Sequence, residues 1–447
     1  MADERDGFPV LRRDVAGVDV GSEEHWVCAP SRTGDGREVE RFPATTPGLE
    51  RMITWLQERR VTAVALESTG VYWIVPHEML ERAGLDVLLV DTRELRRVPG
   101  RPKSDRRDCE WLQRLHGCGL LRRAFRPPEA VCLLRTLVRD RATLIAERAD
   151  WLRRMQKALD QMNVRVHRAV AQLDGATGMA IVRAIVGGER DASRLAALRD
   201  PRCHKTEAAI AEQLSGHWRA DHLFSLQQGL KMYDAITDRM ADYEREILQQ
   251  LAAMAQTDDT APPPSNGNKA RAITRRGEEP LRQALYRMSG VDLTTIDALG
   301  VETVNVILSE YGPDLSRFPT EKHFVAHLRL APHRAISGGK PVRNQKRAHR
   351  GSTRVTAALR MAATALRRSQ SALGAYYRRI AQRLGADVAV FATARKLAQW
   401  VYRVLRWGQA YVDDGAAVYE NRYRQARLKR LAASAKDLGY TLVSVEA

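Results

Sequence analysis

Ala16-Gly17-Val18-Asp19-Val20-Gly21 is a short apolar run with a carboxylate near its end and a glycine on which the chain can turn. Alternation and β-branched residues make Val15 to Val20 a strand, joined through a short polar turn to a second at Trp26 to Ala29. Arg37 to Phe42 alternates like a third strand. Thr46 followed by Pro47 is a cap with proline at the first helical position, and the helix is expected to run through Arg59. Further on, Val61 to Glu67 is predicted as a buried strand, Val71 to Ala83 as a helix, Leu85 to Val90 as a strand and Asp105 to Leu115 as a helix.

Four acids fall at telling places in this series. Asp19 lies on the first strand, Glu67 closes the strand after the first helix, and Asp105 and Asp108 are three apart, on one helical face. Taken singly, each has an ordinary explanation as a turn residue, strand end or helix cap. Gathered together they would repel, and a group of carboxylates is tolerated when cations sit between them. Divalent ions acting on nucleic-acid phosphates would account for the set. Three strands, then helix, strand, helix, strand, helix is the order of ribonuclease-H-like folds.

The 447 residues carry 72 Lys+Arg against 54 Asp+Glu, a net charge of +18, which points to a polyanionic partner, DNA or RNA. A hydrophobic fraction of 44% is ordinary for a folded protein, and the length suits two or three domains. The longest apolar runs, Leu85 to Val90 and Val61 to Leu66, are too short to cross a bilayer, so no membrane association is expected. The N-terminus lacks a basic start followed by an apolar block. Five cysteines (Cys28, Cys109, Cys118, Cys132 and Cys203) without Cys-x-x-Cys spacing suggest neither a zinc site nor a disulfide framework, and fit a reducing cytoplasm.

Between Leu133 and Val166, and again from Leu223 to Leu251, apolar residues recur in steps of three and four among many arginines. These are long amphipathic helices able to pair as a coiled coil, within the chain or between chains. Residues 256 to 279, with three consecutive prolines, are expected to be a linker. Beyond it, Leu293 to Tyr311 has the pattern of a helix-hairpin-helix, with Gly300 letting the backbone turn and Ala298 where a second glycine would be usual. Ser337-Gly338-Gly339 follows, on a flexible loop before a basic tract of Lys340, Arg343, Lys346, Arg347, His349, Arg350 and Arg354. A serine beside so many cations is a candidate nucleophile toward a phosphodiester, and the cations are candidate nucleic-acid contacts.

The four acids, the Gly300 hairpin, Leu308-Ser-Glu-Tyr-Gly-Pro-Asp-Leu-Ser-Arg-Phe-Pro, Ser337-Gly-Gly-Lys and Ala375-Tyr-Tyr-Arg-Arg together resemble the DEDD transposases of bacterial insertion sequences, the "one-ten" family, over nearly the whole chain. The resemblance implies a multi-domain α/β plus α architecture. Its parts would be a ribonuclease-H-like (RuvC-like) metal-binding domain over residues 1–125, a helical coiled-coil region over 126–255, a linker over 256–280, a mostly helical transposase domain with helix-hairpin-helix over 281–420, and a basic tail over 421–447. It also implies Mg²⁺ (or Mn²⁺) held by Asp19, Glu67, Asp105 and Asp108, and Ser337 as a nucleophile forming a phosphoserine-DNA link. Donor and target DNA, a noncoding bridge RNA that pairs with both, and further copies of the chain in a dimer or tetramer are the implied partners, at the bacterial nucleoid. The distance in sequence between the acids and the serine suggests a composite site.

Three rivals have observable consequences. A structure-specific, resolvase-like endonuclease that activates water on metals would cleave without covalent attachment. Val18-Asp19-Val20-Gly21 also resembles the first phosphate loop of sugar-kinase and actin-like ATPases, but no convincing second Asp-x-Gly loop or glycine-rich adenosine segment follows, and the chain lacks a Gly-x-x-x-x-Gly-Lys-[Ser/Thr] loop. A noncatalytic nucleic-acid scaffold explains the basic faces and leaves the acids without a role.

Overall fold

The computed structural model describes residues 9–33, 36–68, 70–90, 104–203, 205–256, 267–332, 336–337, 340–341, 353–408 and 410–443. The chain divides into two compact units, Met1–Arg126 and Pro127–Ala447.

The first unit is built on β1 (Val15–Val20), β2 (Glu24–Pro30), β3 (Arg37–Pro43), α1 (Thr46–Glu58), β4 (Ala63–Glu67), α2 (Ile74–Arg82), β5 (Asp86–Val90) and α3 (Asp105–Gly117). The five strands form one mixed sheet in the order β3-β2-β1-β4-β5, with β1–β2 and β2–β3 antiparallel and β1–β4 and β4–β5 parallel. Alternation along β1 and β4 sorts the faces. Ala16, Val18, Val20, Val64 and Leu66 point into a core with Leu49, Met52 and Leu56 of α1 and Leu80 of α2. Gly17 and Ala65 face the other way, onto α3. The cap of α1 is Thr45, one residue before the expected Thr46: its hydroxyl accepts from the Gly48 N–H at 3.3 Å, and Pro47 stands second in the first turn.

Gly17 is the point of closest approach between sheet and helix. A Cβ there would sit 2.3 Å from the Gln113 nitrogen and 2.5 Å from the Cys109 oxygen, so the α3 backbone lies directly on the strand. Gln113 donates to the Val15 carbonyl at 3.3 Å, and the His116 Nδ1–H donates to the Ala16 carbonyl at the same distance. The helix therefore runs against β1, its C-terminal end over Ala16 and its first turn toward the C-terminal end of the strand.

The second unit is helical. It opens with α4 (Glu129–Gln161), continues through the short helices α5 (Val166–Ala169), α6 (Ala176–Val186), α7 (Ala192–Ala196) and α8 (Glu207–Leu214), and returns along α9 (Ala220–Ala253). Arg141 pairs with Glu244 at 2.7 Å, Gln250 donates to the Ala130 carbonyl at 3.4 Å, and Met155 lies against Gly229. Positions that rise on one helix fall on the other, so α4 and α9 pack antiparallel within the chain. The short helices close the far end around Met155, Leu159, Ile181, Ile185, Ile210, Leu214, Leu226 and Leu230.

Next come α10 (Gly267–Arg276), α11 (Glu279–Ser289), α12 (Val301–Tyr311) and α13 (Glu321–His327), then β6 (Ile336–Ser337) and β7 (Lys340–Pro341), then α14 (Arg354–Ala365), α15 (Ala372–Leu384), α16 (Ala386–Trp407) and α17 (Gly415–Asp437). Two expectations change here. The stretch 256–280, expected as a linker, contains α10, and Lys269 from that helix donates to the Thr294 carbonyl and, at 3.0 Å, to the Ile296 carbonyl. An amphipathic helix was hidden there because prolines and polar residues dominate the composition of the window. The boundary placed at 420/421 falls inside α17, none of whose residues is buried.

Candidate functional site

The pairing register brings two of the four acids together. Val18 of β1 is paired with Leu66 of β4, so the next residues, Asp19 and Glu67, are neighbours at the C-terminal ends of adjacent parallel strands. Both share the face of Gly17 and Ala65, the face that α3 covers. Ser68, directly after Glu67, ties this strand end to β5 through two bonds to the Val90 carbonyl, 3.1 Å from its N–H and 2.9 Å from its hydroxyl.

The other two acids arrive on α3. Ser104 caps that helix, its hydroxyl accepting from the Arg107 N–H at 3.4 Å, and Asp105 and Asp108 occupy the first turn. Carboxylates there complement the helix dipole. Asp105 is exposed and Asp108 half-buried, and the stripe continues through the buried Cys109 and Leu112 onto the sheet. Burial raises the Cys109 thiol far above its ordinary range, with further upward pushes from Cys28, Glu110 and Asp19. Asp19 thus acts electrostatically on the start of α3. Burial likewise pushes the Cys28 thiol up to about 12, so both stay protonated and unreactive.

Asp19 and Glu67 are thus neighbours at one end of the sheet, and Asp105 and Asp108 stand on the first turn of the helix that covers the same face. Among the described residues, no three histidine, cysteine or acidic side chains stand close enough together to hold a metal ion. The donor set is nonetheless of the right chemistry, hard oxygen ligands on a rigid sheet and a capped helix, for a small divalent cation.

The same register adds residues that the strand pattern alone left out. Trp26 of β2 is paired with Asp19, and Arg41 of β3 with Trp26. Arg41, Trp26, Asp19 and Glu67 therefore form a row across four strands. Alternation could have put Trp26 on this face only if the length of the β1–β2 turn had been known.

In the second unit, Ser337 lies at the end of β6, paired with Lys340 of β7, a two-residue antiparallel ladder where a flexible loop was expected. Arg343, Lys346, Arg347 and Arg350 lie outside the described residues. Arg354 opens α14 behind the cap Thr353, and its Nε is 3.9 Å from Glu310. Glu310, nearly buried, also takes a bidentate pair from Arg139 at 2.8 and 2.7 Å and lies 3.2 Å from the buried Arg135 Nε. Three guanidiniums thus converge on one carboxylate, at the position of the Glu in Leu308-Ser-Glu-Tyr.

The expected hairpin has a different turn from the one anticipated. Gly300 caps α12 in ordinary extended backbone, φ −85°, and the left-handed residue is Ala298, φ 66°. The segment before it is a single 3₁₀ turn, Leu293–Thr295, not a full helix. A buried pair, Arg282 to Asp292 at 2.6 Å, holds this turn from α11, and Ser369 donates to Asp297 at 2.9 Å. Near Gly300, Glu302 pairs with Arg141 at 3.0 Å, so an acid already occupies the first turn of α12.

Two family models match this chain. One, a transposase model of the DEDD type of IS110, matches residues 16–164, which include all four acids; the other, "Transposase IS116/IS110/IS902 family", matches residues 291–378, which include Ser337. A relative, "Insertion element IS116 uncharacterized 44.8 kDa protein" of Streptomyces clavuligerus, is 27% identical over 158 residues, 34% of this chain and 40% of the relative. Both models describe transposases. The chain belongs to the DEDD transposases of the IS110 family. No helix among the described residues is long and apolar enough to cross a membrane.

Proposed function

We propose that this protein is a DNA strand-exchange enzyme of its insertion sequence, with a RuvC-like acid site in the first unit and a serine nucleophile in the second. The observation that carries the proposal is the placement of Asp19 and Glu67 side by side on adjacent strands, under a helix whose first turn bears Asp105 and Asp108. The set sits in a chain of net charge +18. Asp19, Glu67, Asp105 and Asp108 would hold Mg²⁺ or Mn²⁺. What the metal supplies when bound is positive charge against a phosphate, which otherwise repels both the acids and an incoming nucleophile.

Ser337 would supply the covalent step. Its Oγ forms a bond to phosphorus as the bond from phosphorus to a deoxyribose oxygen breaks; the serine proton passes to solvent and the departing oxygen takes one up from solvent, leaving as a hydroxyl. Attack by a strand hydroxyl reverses the exchange and returns Ser337, so the phosphodiester energy is kept and no nucleotide triphosphate is needed. Lys340, paired with Ser337 in the ladder, and Arg343, Lys346, Arg347, Arg350 and Arg354 would hold the DNA phosphates. Donor and target DNA, a bridge RNA that pairs with both, and a homo-oligomer joined through coiled-coil arms complete the proposal.

The test is a trapping assay on labelled donor and target DNA with Mg²⁺ and RNA transcribed from the flank of the element. A protein-DNA adduct on a denaturing gel is expected for the wild type and lost in Ser337→Ala, with both cleavage and adduct lost in Asp19→Asn. Equal cleavage by wild type and Ser337→Ala with no adduct would assign the chemistry to the acids alone, a metal-dependent structure-specific endonuclease. An adduct that forms equally well without RNA would remove the guide from the proposal.

A further inference from the structure

The row Arg41, Trp26, Asp19 and Glu67 runs straight across β3, β2, β1 and β4 on the face of the acids. Strands lie about 4.8 Å apart, so Trp26 is one strand and Arg41 two strands from Asp19, roughly 5 and 10 Å along the sheet. The Trp26 indole is half-buried, and its orientation is set by its N–H, which donates to Glu24 at 3.2 Å. The Arg41 guanidinium lies 6.0 Å from the ring centroid and 3.3 Å from Glu24, with 61% of the arginine side chain exposed. A solvent-facing ion pair of this kind contributes little, so the guanidinium can exchange Glu24 for a stronger anion at small cost.

A half-covered tryptophan on an edge-proximal strand is an unusual neighbour for a cluster of acids. Trp26 lies on the α3 face of the sheet, away from the core beneath α1 and α2 into which Val27 and Ala29 point. An oriented indole with a cation beside it is instead the pair that receives an unpaired base and its phosphate, since every base has a face to stack.

We infer that Trp26 and Arg41 form a nucleotide subsite flanking the acids, in which Trp26 stacks an unpaired base and Arg41 takes the adjoining phosphate of the strand lying over Asp19 and Glu67. This rests on the proposal that those acids face nucleic acid. The unpaired strand can be DNA or RNA, which share this chemistry. Trp26 and Arg41 are positioning residues here, since the reacting phosphate would lie at the acids.

The subsite is tested by binding alone. Full-length protein in EDTA is mixed with 12-mers of thymidine or uridine carrying one 5-iodouracil, irradiated, and the adducts mapped by peptide mass spectrometry. Affinity is read in parallel by anisotropy. An adduct on Trp26 is expected, with affinity at least about 5-fold weaker in Trp26→Leu and largely kept in Trp26→Phe. In Arg41→Gln the salt slope should fall by about 0.7. An adduct with only the deoxyribose or only the ribose strand identifies which one lies there. No adduct on Trp26 with either strand would overturn the subsite, as would a Trp26→Leu affinity within twofold of wild type. The wild-type cross-link needs no folded variant. No step uses Ser337 or a metal, so the result stands even if serine chemistry fails in the trapping assay.

Discussion

Gly17 and Ala298 are opposite cases of a single residue deciding local geometry. At Gly17 the α3 backbone occupies the space of a side chain, so Gly17→Ala must push the helix off the strand. A loss of about 1–3 kcal/mol is expected in chemical denaturation, together with weaker oligonucleotide cleavage in the trapping assay, because Asp105 and Asp108 travel with α3. At Ala298 the strain is already present: φ of 66° in a non-glycine residue costs about 1–2 kcal/mol, part of which glycine returns to unfolded-chain entropy. Ala298→Gly should therefore stabilise the protein by roughly 0.5–1 kcal/mol, seen as a higher urea midpoint at unchanged slope. The need for glycine at this turn was legible in the sequence. The pattern also marked Ala298 as the place of a second glycine; what it did not tell is that Gly300 is only a cap, because only the dihedral angles distinguish a cap from a turn.

Elements here are held by polar residues as well as by apolar faces. Glu310 gathers Arg135, Arg139 and Arg354, tying α4 to α12 and to the start of α14. Burial lowers the Arg135 pKa against the raising effect of Glu310, so removing the carboxylate leaves a desolvated cation without compensation. Glu310→Gln is expected to cost about 3–5 kcal/mol, as breaking one side of a buried pair does, measured by equilibrium unfolding. Between α3 and the sheet, the His116 pKa is lowered by burial, against the raising effect of its bond to the Ala16 carbonyl. Burial also lowers the pKa of His25. A depressed histidine means that the unfolded chain binds more protons below about pH 6.5. Stability is then full above that pH and falls as pH drops, by up to about 1.4 kcal/mol per pH unit for each histidine. Melting at pH 7.5 and 5.5 should show the drop, and His116→Gln should reduce it. Strand alternation made the sheet elements readable one by one. The contacts of Glu310 and the row through Trp26 join residues far apart in sequence, and periodicity carries no information about partners.

At the scale of the whole chain, the acids and the serine fall in separate units, and each family match covers one of them. Composition points to a polyanionic partner, and the spacing of apolar residues foretold two long helices. That these helices would pair with one another, antiparallel, was one of two open outcomes. Their pairing is specified by more than greasy contact, because Arg141 meets Glu244 between them and Arg148 lies over the Tyr233 ring. Sliding by a turn would part Arg141 from Glu244 and move Met155 off Gly229, where its side chain lies against the bare backbone. The 33-residue α4 reaches about 50 Å at 1.5 Å per residue. Outbound and returning helices of nearly equal length, locked near the base, make the arm an adjustable ruler. Inserting matched heptads beyond Arg141 and before Glu244 would carry the distal cluster outward by about 10 Å each time, leaving the proximal joint with α12 unaltered.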